Sequence, residues 1–119
     1  MRDFRELKVW ETSHRLAIEI YRATIDLPKE EVYGLTSQMR RAAVSISANI
    51  AEGCGRGSEA DFARFLHIAA GSASELEYHL LLSYDLRFLE EEVYHALSHQ
   101  VADVKRMLFS FIQKLKADG

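Results

Sequence analysis

Apolar residues return every three or four positions along almost the whole chain, and this rhythm predicts four helices. The first covers about 7–26. Leu7, Trp10, His14, Ala17, Tyr21 and Ile25 form one row, and Val9, Leu16, Ile20, Ala23 and Leu27 a second row on a different side. The break "DLPKEEVYG" follows, where Pro28 disfavours helix at Leu27 and Gly34 permits a turn. The second helix covers about 35–52, with Leu35, Met39, Ala42, Ala43, Ile46 and Ile50 as its stripe. The third covers about 59–88, with Phe62, Phe65 or Leu66, Ala69, Ala73, Leu76 and Leu80. Ser58 is placed to cap it, and Asp61 holds the capping-box offset. The fourth covers about 91–116, with Val93, Leu97, Val101, Val104, Leu108, Phe111 and Leu115 in a heptad-like rhythm. Its Glu90–Glu92 start and its Lys114 and Lys116 finish both suit the helix dipole.

No strand-like alternation of useful length interrupts this pattern. Four long helices with short connections predict an all-α, antiparallel up-and-down four-helix bundle, one domain over residues 1–119. Helix 2 is rich in small residues (Ala42, Ala43, Ser45, Ser47, Ala48, Ala51), which lets another backbone come close. The apolar rows are wider than a lone bundle needs. Helix 1 carries two, "LLL" stands at 80–82, and Tyr94, Phe109 and Ile112 lie off the main stripe of helix 4. Left in water they would form a large patch, so a symmetric homo-oligomer is expected. Scattered surface apolar residues are the plainer alternative.

Composition narrows the classes. The 119 residues suffice for one core without metal or disulfide staples, and an apolar fraction of 48% argues against disorder. The net charge is −3 and the pI about 5.9, which does not favour a domain built mainly to neutralise phosphate. Charge is unevenly placed, however. Residues 31–57 hold three Arg against two Glu, and residues 58–89 two Arg against five acids. The single cysteine, Cys54, excludes an internal disulfide, which suits a reducing compartment. "MRDFRELKVWET" is charged and is not a secretory signal, and no apolar run can span a membrane. A cytoplasmic protein with no membrane partner and no cofactor is expected.

"NIAEGCGRGSEADF", residues 49–62, carries three glycines. A phosphate-binding glycine loop needs a preceding strand, or a closing Lys-Ser/Thr. Here the preceding segment reads as helix and no lysine is present. Gly53, Gly55 and Gly57 are expected to stop helix 2, pass through positive φ and release helix 3 at Ser58. Arg56, beside the free N–H groups of that helix start, makes a weaker general anion site.

Three stretches carry a resemblance: "FRELKVWETSHRLAIEIYRAT", "YGLTSQMRRAAVSISANIAEGCGR" and "FARFLHIAAGSASELEYHLLLSYDL". From Phe4 to about Leu89 the chain resembles the four-helix-bundle proteins encoded in intervening sequences of bacterial 23S rRNA genes. The last helix matches only as an apolar pattern. The resemblance implies a bacterial bundle assembled as a ring, a homopentamer. The family is also similar to the accessory proteins of diversity-generating retroelements, which are pentameric, work with a reverse transcriptase and bind nucleic acid through basic surfaces. This chain departs in its acidic pI and in Ser47, where many relatives have proline. A less kinked second helix follows.

Four arginines are the nucleic-acid or anion-binding candidates: Arg40, Arg41, Arg56 and Arg64. The competing reading of Arg40 and Arg41 is ion pairing with Glu52, Glu75 or Glu77. Asn49 with Glu52, and Ser72 with Glu75, lie one turn apart and read as buried polar groups that fix helix register. Glu91, His95 and His99 share a helix face. Two His at this spacing can chelate a metal, but no third ligand is assignable, and a solvated face is the plainer reading. Cys54 lacks a His/Asn partner and reads as a small turn residue beside Arg56.

The expected function is a non-catalytic oligomeric scaffold or binding module, acting with RNA or DNA or a nucleoprotein complex. The alternatives are an adaptor for a protein partner that never contacts nucleic acid and, behind it, a metal-dependent enzyme using His95 and His99.

Overall fold

The computed structural model describes residues 2–118. Four helices account for most of them: α1 (Lys8–Ala23), α2 (Leu35–Cys54), α3 (Glu59–Asp85) and α4 (Glu91–Asp118). Helices adjacent in sequence pack on each other, and α4 closes back on α1; the diagonal pairs stay apart. The result is an up-and-down four-helix bundle, 46 × 22 × 20 Å. No strand occurs among the described residues.

The core stripes of α2 and α3 are those the periodicity predicts, with Leu35, Met39, Ala42, Ala43, Ile46 and Ile50 facing Phe62, Leu66, Ala69, Ala73, Leu76 and Leu80. On α1 the second row wins. Val9, Leu16 and Ile20 are buried, while Tyr21 and Ile25 are 44% and 70% exposed. On α4, Ile112 is buried and Val93 lies at the surface, the reverse of the predicted stripe. Both shifts have one cause: each helix must face two neighbours at once, and that decides which of two adjacent rows points inward.

The helix ends depart from expectation for local reasons. α1 stops at Ala23 and not near Asp26: after Thr24 the chain tightens into three-residue turns, with the Ile25 N–H on the Arg22 carbonyl at 3.4 Å and the Leu27 N–H on that of Thr24 at 3.3 Å, ahead of Pro28. α2 runs unbroken past Glu52 to Cys54, so Gly53 lies inside it. The glycine stretch does end α2, with Gly55 as its C-cap, and α3 does begin after Ser58. No described glycine has a positive φ, however, so that part of the expected role of Gly53, Gly55 and Gly57 is corrected. Gly53 serves close approach instead. A Cβ there would sit 2.9 Å from Phe65 Cβ and 3.0 Å from Phe62 Cδ1.

α3 ends at Asp85, three residues before the predicted Phe88. Arg87 adopts φ 65°, the one left-handed residue described. The Phe88 N–H donates to the Ser83 carbonyl at 2.8 Å, and the Arg87 N–H to that of Tyr84 at 2.9 Å. This is the Schellman arrangement, with arginine where glycine is usual. Its side chain is exposed. Arg87→Gly is therefore expected to stabilise the protein by about 1 kcal/mol, through relief of the left-handed penalty. Urea unfolding should show a higher midpoint at unchanged slope; an unchanged or lower midpoint would refute the strain.

Candidate functional site

The turn between α2 and α3 is built around two phenylalanines. Ser58 caps α3, its hydroxyl accepting from the Asp61 N–H at 3.1 Å. Glu59 and Asp61 occupy the first turn. That helix start is thus capped and flanked by carboxylates, which counts against anion binding by its backbone N–H groups and leaves only the arginine side chains beside it. α2 runs into the glycine stretch, through Gly53, and α3 follows it, so the strand that a nucleotide loop needs is absent among the described residues.

The four candidate arginines fall into two places. The Arg56 and Arg64 guanidinium carbons stand 4.8 and 4.5 Å from the centroid of the same Phe65 ring. Arg64 also reaches Asp61 at 3.3 Å. Both are exposed at their heads and form one cationic cluster over an aromatic. Arg40 and Arg41 lie about 22 Å away along α2, at 1.5 Å per residue. Arg40 is not paired with Glu52, Glu75 or Glu77. It donates to Thr24 Oγ1 at 2.9 Å and to the Tyr21 carbonyl at 3.3 Å, with its head 4.7 Å from the Tyr21 ring. A cation there suits the carbonyl end of α1. Arg41, the next residue, is exposed.

Of the polar pairs, Asn49 and Ser72 belong together. Ser45 and Ser72 hydroxyls meet at 2.8 Å across α2 and α3, and Asn49 Nδ2 donates to the Ser45 carbonyl at 2.8 Å and hydroxyl at 3.0 Å. This half-buried chain ties the register of the two helices. Glu52 and Glu75 are exposed, contrary to the expected burial, and Glu75 stands 3.8 Å from His79. Glu91, His95 and His99 lie on a solvated face; His95 packs against Tyr94, and His99 stands 3.7 Å from Asp103. Among the described residues, no three His, Cys, Asp or Glu side chains converge as metal ligands.

Arg2 was not among the candidates, yet it closes this end of the bundle. Its guanidinium donates twice to Glu59, at 2.8 and 3.1 Å, and sits 4.4 Å from the Phe62 ring. The hydrogen bond from Arg2 holds the Glu59 carboxyl below the usual range. Burial pushes the Cys54 thiol up, against the pull of the Arg2 charge. Cys54 is thus a core residue ending α2, with Arg2 as its cationic neighbour in place of the expected Arg56. Nothing in the sequence marks a pairing 57 residues apart.

The family model for the 23S rRNA-intervening sequence protein matches residues 5–110. The chain belongs to this family. A crystal structure of a protein with unknown function from the S23 ribosomal protein family of Bacteroides thetaiotaomicron VPI-5482 superposes with a TM-score of 0.79. It is 29% identical, and the match covers 87% of this chain and 97% of that one. No curated protein matches. The intervening-sequence family match includes α4 up to residue 110, where the sequence resemblance rested only on apolar rhythm. No helix among the described residues is long and apolar enough to cross a membrane.

Proposed function

We propose that this intervening-sequence family member is a non-catalytic binding module that works as a ring-shaped homo-oligomer, a pentamer by family resemblance, and meets RNA or DNA through the α2–α3 turn. The observation that carries the reading is the Arg56–Phe65–Arg64 cluster on the cationic half of the molecule. Residues 19–41 and 75–100, which include the α1–α2 and α3–α4 loops, hold ten acids and five bases, a balance of −5. All other residues hold eight acids and ten bases, a balance of +2, and the two halves restore the net −3. Exposed Tyr21, Ile25, Tyr33 and Val44 on α1, α2 and their loop support association of copies. Repetition round a ring would add modest phosphate contacts into useful avidity.

Fluorescence anisotropy with labelled single-stranded RNA and duplex DNA, titrated against salt, tests the reading. Arg56→Glu with Arg64→Glu should weaken binding at least about tenfold and lower the salt slope by about two per bound protomer. No binding by the unaltered chain at low salt removes the nucleic-acid half. Light scattering tests the ring: a particle of 13.6 kDa at all micromolar concentrations removes it.

The acidic half favours a second reading, an adaptor for a protein partner. Recovery of that partner after nuclease treatment would separate it from the first.

A further inference from the structure

At the acidic end the bundle opens into a groove of about 1030 Å³, between the last turns of α1, the α3–α4 turn and the start of α4. Its floor is apolar, made by Ala23, Phe88, Leu89, Val93 and Leu97. The left-handed Arg87 reverses the chain and brings Phe88 and Leu89 back under it. Five carboxylates line the groove against two guanidiniums, a net −3: Glu19, Asp26, Asp85, Glu90 and Glu91 against Arg22 and Arg87. Arg22 is already bonded to Glu19 at 3.0 Å. One wall is braced, because the Tyr84 hydroxyl donates to Glu91 at 3.2 Å and the Tyr84 ring stacks on Tyr94 at 4.3 Å.

We propose that this groove docks a basic amphipathic helical segment of another protein, its apolar side chains on the floor and its lysines or arginines on the carboxylate rim. A cleft of this size accepts several apolar side chains along its floor. Surplus carboxylates at its rim reward cations placed beside an apolar stripe, the pattern of a basic amphipathic helix. The same field repels nucleic acid, which leaves phosphate contacts to the opposite end. A second copy of this chain is a poor occupant. Its own basic amphipathic stretch, Lys105 to Lys116, has Leu108, Ile112 and Leu115 buried in its core. The braced wall and preformed floor lower the ordering cost of binding.

This inference rests on the adaptor reading and names its surface. The probe is a fluorescein-labelled amphipathic helical peptide of leucine, alanine and lysine, with a counterpart carrying glutamate for lysine. The lysine peptide should bind the full chain and weaken with salt; the glutamate peptide should not bind. Asp26→Asn with Glu90→Gln should weaken binding at least about tenfold, since both are exposed charges whose removal spares the core and leaves the Tyr84–Glu91 brace in place. Ala96→Trp, which fills the groove from the exposed side of α4, should abolish it. Circular dichroism melts establish that both variants fold. Equal binding by either folded variant, or by the glutamate peptide, overturns the proposal, as does no binding by the unaltered chain. A protein partner still recovered after nuclease treatment in that case would leave the adaptor reading standing without this groove.

Discussion

Phe62→Ala is expected to destabilise the protein by about 3–5 kcal/mol, the range for deleting a buried aromatic. Phe62 is 1% exposed and joins three elements. Its ring meets the edge of Phe111 at 5.3 Å and 80°, which ties α3 to α4. It seats the Arg2 guanidinium at 4.4 Å, and Gly53 of α2 lies against its Cδ1. Alanine removes the transfer energy of the ring, the edge-to-face contact and the cation's seat together. Urea unfolding at fixed protomer concentration measures the loss, because association would otherwise shift the midpoint. A loss below about 1.5 kcal/mol would mean that the site collapses without a cavity.

Gly53→Val should cost about 3 kcal/mol, at the upper end of overpacking penalties. Two effects oppose each other at this position. A helix interior gains about 1 kcal/mol when glycine becomes alanine. Here the new Cβ would stand 2.9 Å from Phe65 Cβ, a backbone-anchored atom that cannot swing away. Alanine is therefore expected near neutral to destabilising, and the extra methyl groups of valine decide the sign. Combining Gly53→Ala with Phe62→Leu should recover about 1 kcal/mol relative to additivity, because the shorter side chain relieves one of the contacts. Should Gly53→Ala instead stabilise by the full helix-propensity gain, the close approach of α2 and α3 would be disproved.

How much could be read beforehand differs from residue to residue. The Ser58 cap was legible, because a cap needs only a side chain and a backbone N–H three residues on. Arg56 and Arg64 were both candidates, but their meeting over one ring was not visible. It depends on a turn that returns α3 beside the end of α2. Acids are the partners that charge suggests for Arg40, yet it bonds the Thr24 hydroxyl and the Tyr21 carbonyl at the end of α1, sixteen and nineteen residues away. Arg2 gave no signal at all. The glycine string marks the end of α2, which local chemistry can show, but Gly53 is required by a neighbouring helix and not by its own φ, which local chemistry cannot.

The sequence by itself determined the number of helices, most of their inward faces and the family, since each depends on short-range periodicity or on local strings of residues. Tertiary structure alone decided which row of α1 became core, which partners the cations found, and that an apolar-floored groove opens among the carboxylates at one end. Those outcomes depend on side chains brought together from distant segments. A helix presents the same candidates on its surface until its neighbours choose among them.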